Sequence, residues 1–236
     1  MPSVTSTQSN TNQNEIYVMG DVHCEFGRLN TFINKKRPAI ILQCGDFGFW
    51  PNMIAKNHSG MPKEKKQVIA DETKVYWCDG NHEDHLTLNA LESNEIYPNV
   101  FHMKRGSMLT LPDGRKVLFM GGAKSTDRDL RTAGYDWFPG EEISLEDVRG
   151  LPEASVDIVI SHTCPREFQV MGDDMRLNDN CRMALSYVLH KYRPSLWYFG
   201  HFHFHQTGET LGCRWTGLTM AGYPDWWAKL PIGRAT

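Results

Sequence analysis

Ile16-Tyr17-Val18-Met19-Gly20-Asp21-Val22-His23 joins four apolar residues to a short polar burst, and this pairing decides the fold. A short apolar run without alternation is how a strand buried on both faces reads. The same pattern recurs downstream. Ala39 to Leu42 leads, after Gln43-Cys44, into Gly45-Asp46, and Val75 to Trp77 leads into Cys78-Asp79-Gly80-Asn81-His82-Glu83. Val156 to Ile160 leads into Ser161-His162, and Leu196 to Phe199 into Gly200-His201-Phe202-His203. Between these runs the apolar spacing predicts helices from Phe26 to Lys36, from Glu83 to Leu91, from Leu145 to Leu151 with Ser144 as N-cap, and from Cys181 to Tyr192 before Pro194. Strands alternating with helices imply an α/β sheet. In such sheets the ligand site lies beyond the carboxyl ends of the strands, where all five bursts sit, so the bursts are expected to converge.

Further along, Met108 to Leu111, the turn Pro112-Asp113-Gly114-Arg115 and Val117 to Met120 read as a hairpin, and Arg214 to Met220 offers one or two more strands. Two sheets with flanking helices accommodate these better than one doubly wound sheet. The chain has 236 residues, 40% of them hydrophobic, enough for one sizeable core. Residues 1–14 are polar and lack both a basic and an apolar segment, so they are expected to be a disordered tail rather than an export signal, with a single domain over 15–236. No apolar run approaches the roughly 20 residues of a membrane span. Six scattered cysteines without a CxxC pair suit reduced thiols in a cytoplasm. A net charge of −3 lacks the Lys and Arg surplus that gripping long nucleic acid requires. Oligomeric state is left open.

The bursts carry Asp21, His23, Asp46, Asn81, His82, His162, His201 and His203. Asp21 and His23 are two apart, as are His201 and His203, so on extended segments each pair projects to one side and chelates one ion. Carboxylate and imidazole donors together suit Mn²⁺, Fe or Zn²⁺ better than Ca²⁺, and so many ligands favour two divalent ions sharing a carboxylate.

Taken in order, Gly20-Asp21-Val22-His23, Gly45-Asp46, Gly80-Asn81-His82-Glu83, Ser161-His162 and Gly200-His201-Phe202-His203 resemble the motifs of the calcineurin-like metallophosphoesterase superfamily. The resemblance spans residues 20 to 203. It implies a four-layer α/β/β/α sandwich of two mixed β-sheets flanked by helices, with a dinuclear metal centre. Carried over by position, Asp21, His23, Asp46 and His203 hold one ion, and Asp46, Asn81, His162 and His201 the other, with Asp46 bridging. Mn is the expected metal, with Fe, Zn, Ni or Mg as alternatives. His82 matches the histidine that contacts the phosphoryl and leaving oxygens. Glu83, Asp84 and Asp79 are the neighbouring carboxylates expected to raise its pKa so that it acts as His⁺.

Two departures narrow the reading. Cys24 stands where the family often has Gly, and Phe47-Gly48-Phe49-Trp50 follows Asp46 where phosphoprotein phosphatases carry Asp-Arg. The basic residues Arg128 and Arg131, in the loop from Gly121 to Glu142, are then the candidates for contact with substrate, together with Asn81. That loop also offers Tyr135 and Trp137 for stacking on a base, and looks similar to a segment of bacterial and phage-encoded members.

Plainer explanations compete. Asp, Asn and Gly favour turns after strands, which accounts for one or two blocks but not five. Cys24, Cys44, Cys78 and Cys164 read as small buried hydrophobes, His205 as a residue outside the ligand set, and Trp226 and Trp227 as cover for the core edge. His58, His85, His102 and His190 carry no motif. The expected activity is metal-dependent hydrolysis of a small phosphate ester, monoester or diester, with nucleotide-like esters among the candidates. The alternatives are a catalytically silent nucleotide- or partner-binding relative and a nuclease.

Overall fold

The computed structural model describes residues 15–51, 63–171 and 179–233. The expected tail over 1–14 and His58 lie outside the described residues. The element order is β1 (Ile16–Met19), α1 (Phe26–Lys36), β2 (Ile40–Gln43), α2 (Lys63–Lys66), β3 (Lys74–Trp77), α3 (His85–Asn89), β4 (Glu95–Tyr97), β5 (Val100–His102), β6 (Met108–Thr110), β7 (Lys116–Met120), α4 (Leu145–Arg149), β8 (Ile158–Ser161), α5 (Asn180–Tyr192), β9 (Leu196–Phe199), β10 (Gln206–Thr210), β11 (Cys213–Gly217) and β12 (Trp227–Lys229). Two six-stranded mixed sheets result, ordered β12-β1-β2-β3-β5-β4 and β10-β11-β9-β8-β7-β6.

Alternate side chains of the central strands show how the layers stack. Ile16 and Val18 of β1 and Ile40 and Leu42 of β2 face the other sheet, where they share a core with Val117, Phe119, Ile158 and Ile160. Tyr17 and Met19 of β1 point the other way, onto Phe26, Leu29, Phe32 and Ile33 of α1. In the second sheet Leu118, Val159 and Trp197 turn outward onto Leu185, Val188 and Leu189 of α5. Every central strand is therefore covered on both faces, which is why its sequence is a continuous apolar run.

Helix boundaries follow local chemistry. α1 buries positions 26, 29, 32 and 33, one stripe at helical spacing, and ends where Arg37 turns left-handed with φ of 45°. α4 begins at a capping box in which Ser144 and Asp147 bond each other's backbone N–H. The Asp179 side chain accepts from the N–H groups of Cys181 and Arg182 at the start of α5. α3 is shorter than its apolar pattern suggests, because Asp84 rather than Glu83 caps it. The Met108 hairpin forms as β6 and β7. Trp226 packs edge-on against Phe32, and Trp227 lies in β12 beside Tyr17. All six cysteines are free thiols and five are buried. Among the described residues no helix is long and apolar enough to cross a membrane.

Candidate metal centre

The five strand-end bursts meet at one edge of the sandwich. Asp21, His23, Asp46 and Asn81 come from the first sheet, and His162, His201 and His203 from the second. Asp21, His23, Asp46 and His203 offer donor atoms that lie within 4.8 Å of one another. His203 Nε2 is 2.8 Å from Asp21 Oδ2, and His23 Nε2 is 3.6 Å from Asp21 Oδ2 and 3.5 Å from Asp46 Oδ2. On the other side of Asp46, its Oδ1 lies 3.3 Å from His162 Nε2, which in turn sits 3.0 Å from Asn81 Oδ1. The His201 ring stacks edge-on against His162 with centroids 4.9 Å apart.

One expectation needs correcting here. His201 and His203 are not on an extended segment, because their φ values are 66° and 55°. The left-handed turns send the two rings apart, His203 toward His23 and His201 toward His162, so this pair does not chelate a single ion. His23 and Asp46 are left-handed too, at 46° and 49°. Of the ten non-glycine residues with positive φ among the described residues, four are candidate ligands, so backbone strain concentrates at this edge.

Close approach replaces bulk at two glycines. A Cβ on Gly200 would lie 1.9 Å from Asp21 Oδ1, and one on Gly80 would lie 2.1 Å from Asp46 Oδ1. That room lets the backbone bind the carboxylates: His201 N–H donates to Asp21 Oδ1 at 3.0 Å, and His82 N–H to Asp46 Oδ1 at 2.8 Å.

The charge balance fits a cation. Burial pushes the Asp46 carboxyl up, but the His162, His82 and His23 imidazoles hold it well below the usual range, and His162, His203 and His23 hold Asp21 down to about 2 in the same way. Burial alone would lower His162, yet Asp46 and Asp21 raise it to about 10. Two buried carboxylates thus draw protons onto His162 and His23. His23 Nε2 and His203 Nε2, only 3.1 Å apart, converge on the same space as those carboxylates. A divalent ion satisfies such a donor set directly, taking the place of those protons.

The surroundings of His82 differ from expectation. Glu83 is turned inward, accepting from the N–H groups of Gly48 and Gly80, and its burial, with Asp46 nearby, raises its pKa to about 8. Asp84 caps α3, and Asp79 is held by Arg105 at 2.6 Å with His102 and His85 beside it. None of the three supports a charged His82. Instead the Arg131 guanidinium donates to His82 Nε2 at 2.5 Å and to Asn81 O at 3.3 Å, and burial together with that positive charge lowers the His82 pKa. Arg131 is braced by Asp127 at 2.8 Å. Arg128 is stacked over the Trp137 ring, 4.1 Å from its centroid. His205 lies near Asp225 at 3.8 Å. Sequence reading missed Ser125 and Glu141, of which Ser125 bonds both Glu141 and Asn81, and the Arg105 clamp on Asp79. No residue pattern singled out Glu141, which stands beside Glu142 in the chain and is distinguished from it only by its burial in the fold.

The sequence model of the calcineurin-like phosphoesterases, Metallophos, matches residues 15–205, which contain every candidate ligand. The chain belongs to the calcineurin-like phosphoesterase family. Membership implies metal-dependent hydrolysis of phosphoesters. The fold is similar to that of TT1561 from Thermus thermophilus, at 11% identity and a TM-score of 0.54, over 88% of this chain and 90% of that one. A second crystal structure is similar at 13% identity and a TM-score of 0.54, over 88% of this chain and 91% of that one. Identities this low carry the phosphoesterase fold alone. Among curated proteins, no sequence matches the chain.

Proposed function

We propose that the protein hydrolyses a small phosphate ester at a dinuclear centre. Asp21, His23, Asp46 and His203 hold one divalent ion, and Asp46, Asn81, His162 and His201 the other. The observation that carries this reading is the division of Asp46: Oδ2 faces His23 at 3.5 Å and Oδ1 faces His162 at 3.3 Å, so one carboxylate serves both sides. Mixed carboxylate, imidazole and amide donors suit Mn²⁺. When bound, two such ions polarise the phosphoryl group and lower the pKa of water so that it attacks at neutral pH.

The chain's own residues do the rest. Asn81 ligates as a neutral oxygen and so limits the negative charge that an anionic ester must meet. Arg131 places a fixed positive charge beside Asn81 and His82; Asp127 takes its Nε and Nη2, so contact with a phosphate oxygen falls to the N–H that Nη1 has left over. His82, outside the ligand set, contacts the leaving oxygen. Because burial and Arg131 keep its pKa low, it enters the reaction as a neutral imidazole, and the positive charge beside the phosphoryl group is that of Arg131. Tyr135, exposed in the same loop, and the Arg128 and Trp137 stack offer surfaces for a nucleotide-like base.

The test is a panel of aryl phosphomonoester, phosphodiester and cyclic and linear nucleotides with chelated protein resupplied with Mn²⁺, Fe²⁺, Ni²⁺, Zn²⁺ or Mg²⁺. Turnover that disappears with chelator supports the reading. Absence of hydrolysis across all metals and probes refutes it, and nucleotide binding without turnover would favour a silent relative.

A further inference from the structure

To serve as a neutral oxygen ligand, Asn81 has to present Oδ1 rather than Nδ2, and an amide has two orientations of nearly equal shape. Its Nδ2 donates to Ser125 Oγ at 3.1 Å, with Oδ1 toward His162. Ser125 Oγ donates in turn to Glu141 Oε2 at 2.6 Å, and the Ser125 N–H donates to Glu141 Oε1 at 2.9 Å. A hydroxyl has one proton, and a carboxylate only accepts. With that proton committed to Glu141, Ser125 Oγ can only accept from residue 81, and only the amide nitrogen satisfies it. Asn81, Ser125 and Glu141 are 4%, 4% and 0% exposed, so bulk water offers no substitute partner.

The far end of this chain of bonds is itself fixed. Glu141 closes the 3₁₀ turn Pro139–Glu141, and Arg105 donates to the carbonyls of Gly140, Glu141 and Glu142 while gripping Asp79, two residues before Asn81. A flipped amide would set Oδ1 against the Ser125 lone pairs and aim two N–H bonds at the space between His162 and Asp46.

We infer that Glu141, acting through Ser125, is a positioning residue that holds the Asn81 amide with its oxygen toward the metal position and thereby sets metal affinity. The inference rests on the metal-dependent reading above. It is tested by titrating Mn²⁺ into metal-free protein by calorimetry, comparing wild type, Glu141→Gln, Asn81→Asp and the double variant. Glu141→Gln keeps the shape but puts an amide N–H₂ against Ser125, which reverses the direction of the hydroxyl and with it the favoured orientation of Asn81. The carboxylate introduced by Asn81→Asp presents an oxygen either way.

Glu141→Gln is expected to weaken Mn²⁺ binding by about 10- to 100-fold in the wild-type background and to change it little in the Asn81→Asp background. Equal affinity of Glu141→Gln and wild type, or the same loss in both backgrounds, overturns the positioning role; the latter marks a purely structural effect. If Glu141→Gln does not fold, Ser125→Ala in the same two backgrounds reads the same relay from its middle, with the same two outcomes deciding. Wild-type protein that takes up no Mn²⁺ overturns the metal reading itself, and the relay with it.

Discussion

Arg131→Ala separates the phosphate-contacting group from the metal centre. In the folded protein Arg131 makes one ion pair, to the half-exposed Asp127, and two hydrogen bonds, to Asn81 O and His82 Nε2. The bidentate pair with Asp127 contributes about 1 kcal/mol and each of the two hydrogen bonds about 0.5–1.5 kcal/mol, roughly 2–4 kcal/mol together, or a melting shift of about 4–16 °C for a chain of this size. Contact of the guanidinium with a phosphate oxygen is a charge-assisted hydrogen bond worth about 1.5–3 kcal/mol, or roughly 10- to 150-fold in kcat/KM. The expected result is therefore a large kinetic loss in protein that is somewhat less stable yet folded at the assay temperature, with metal content unchanged. Arg131→Lys keeps the charge without the fork and should fall between. With the guanidinium gone, one of the four influences that lower the His82 pKa is removed, burial, His23 and His162 being the others, so the pH at which that imidazole charges should move upward. Steady-state kinetics on an aryl phosphate, metal analysis and the His82 resonance by NMR read these three quantities. Retention of kcat/KM within about threefold, well under the charge-assisted range, would falsify the substrate contact, and loss of metal would show that Arg131 acts through Asn81 instead.

Asp46→Asn should lower metal content and activity together, measured by elemental analysis and turnover of one preparation; a variant keeping both would exclude the bridge. His82→Ala should keep the metal and lose about 10- to 150-fold in kcat for an alkyl ester, the worth of a hydrogen bond from a neutral imidazole to a leaving oxygen that gains charge, with a smaller loss for an activated aryl ester. Equal losses for the two esters would assign His82 to orienting the phosphoryl group. His162 gives a pH prediction for metal-free protein. Its folded pKa of about 10 exceeds its ordinary 6.5, so folding takes up a proton; the contribution is complete below pH 6.5 and vanishes as pH rises through 10. The melting temperature of chelated protein should fall over that window while metal-loaded protein, whose ion replaces the proton, holds steady. A flat profile without metal would contradict the buried carboxylate cluster.

Legibility in the sequence tracked how far each residue's neighbours were dictated locally. β1 and β9 lie at the expected bounds because an apolar run stopped by glycine leaves little freedom. β4, β5 and β10 went unread: Glu95-Ile96-Tyr97 and Val100-Phe101-His102 are three residues each, and Gln206 to Thr210 is a half-exposed edge strand without an apolar signal. The candidate ligands were readable because residue type and order alone place them at strand ends. The partner of His82 was not, since Glu83, Asp84 and Asp79 are adjacent in the chain but turn elsewhere, while Arg131 arrives from 49 residues away. The split between His201 and His203 likewise depends on two left-handed residues that no side-chain pattern announces.

The assignment of donors to both sheets has a mechanical consequence. Each proposed ion takes at least one group from either half of the sandwich, joining for example His23 to His203 across 180 residues. Such a bond works as a reversible cross-link between halves that otherwise meet through side-chain packing and a few hydrogen bonds, His201 N–H to Asp21 among them. An intermediate with one sheet assembled holds only part of each coordination set and binds weakly, so tight uptake of metal dates the moment at which the halves dock. Free metal at roughly a thousand times the dissociation constant would then add about 4 kcal/mol to that docking and none to the separate halves.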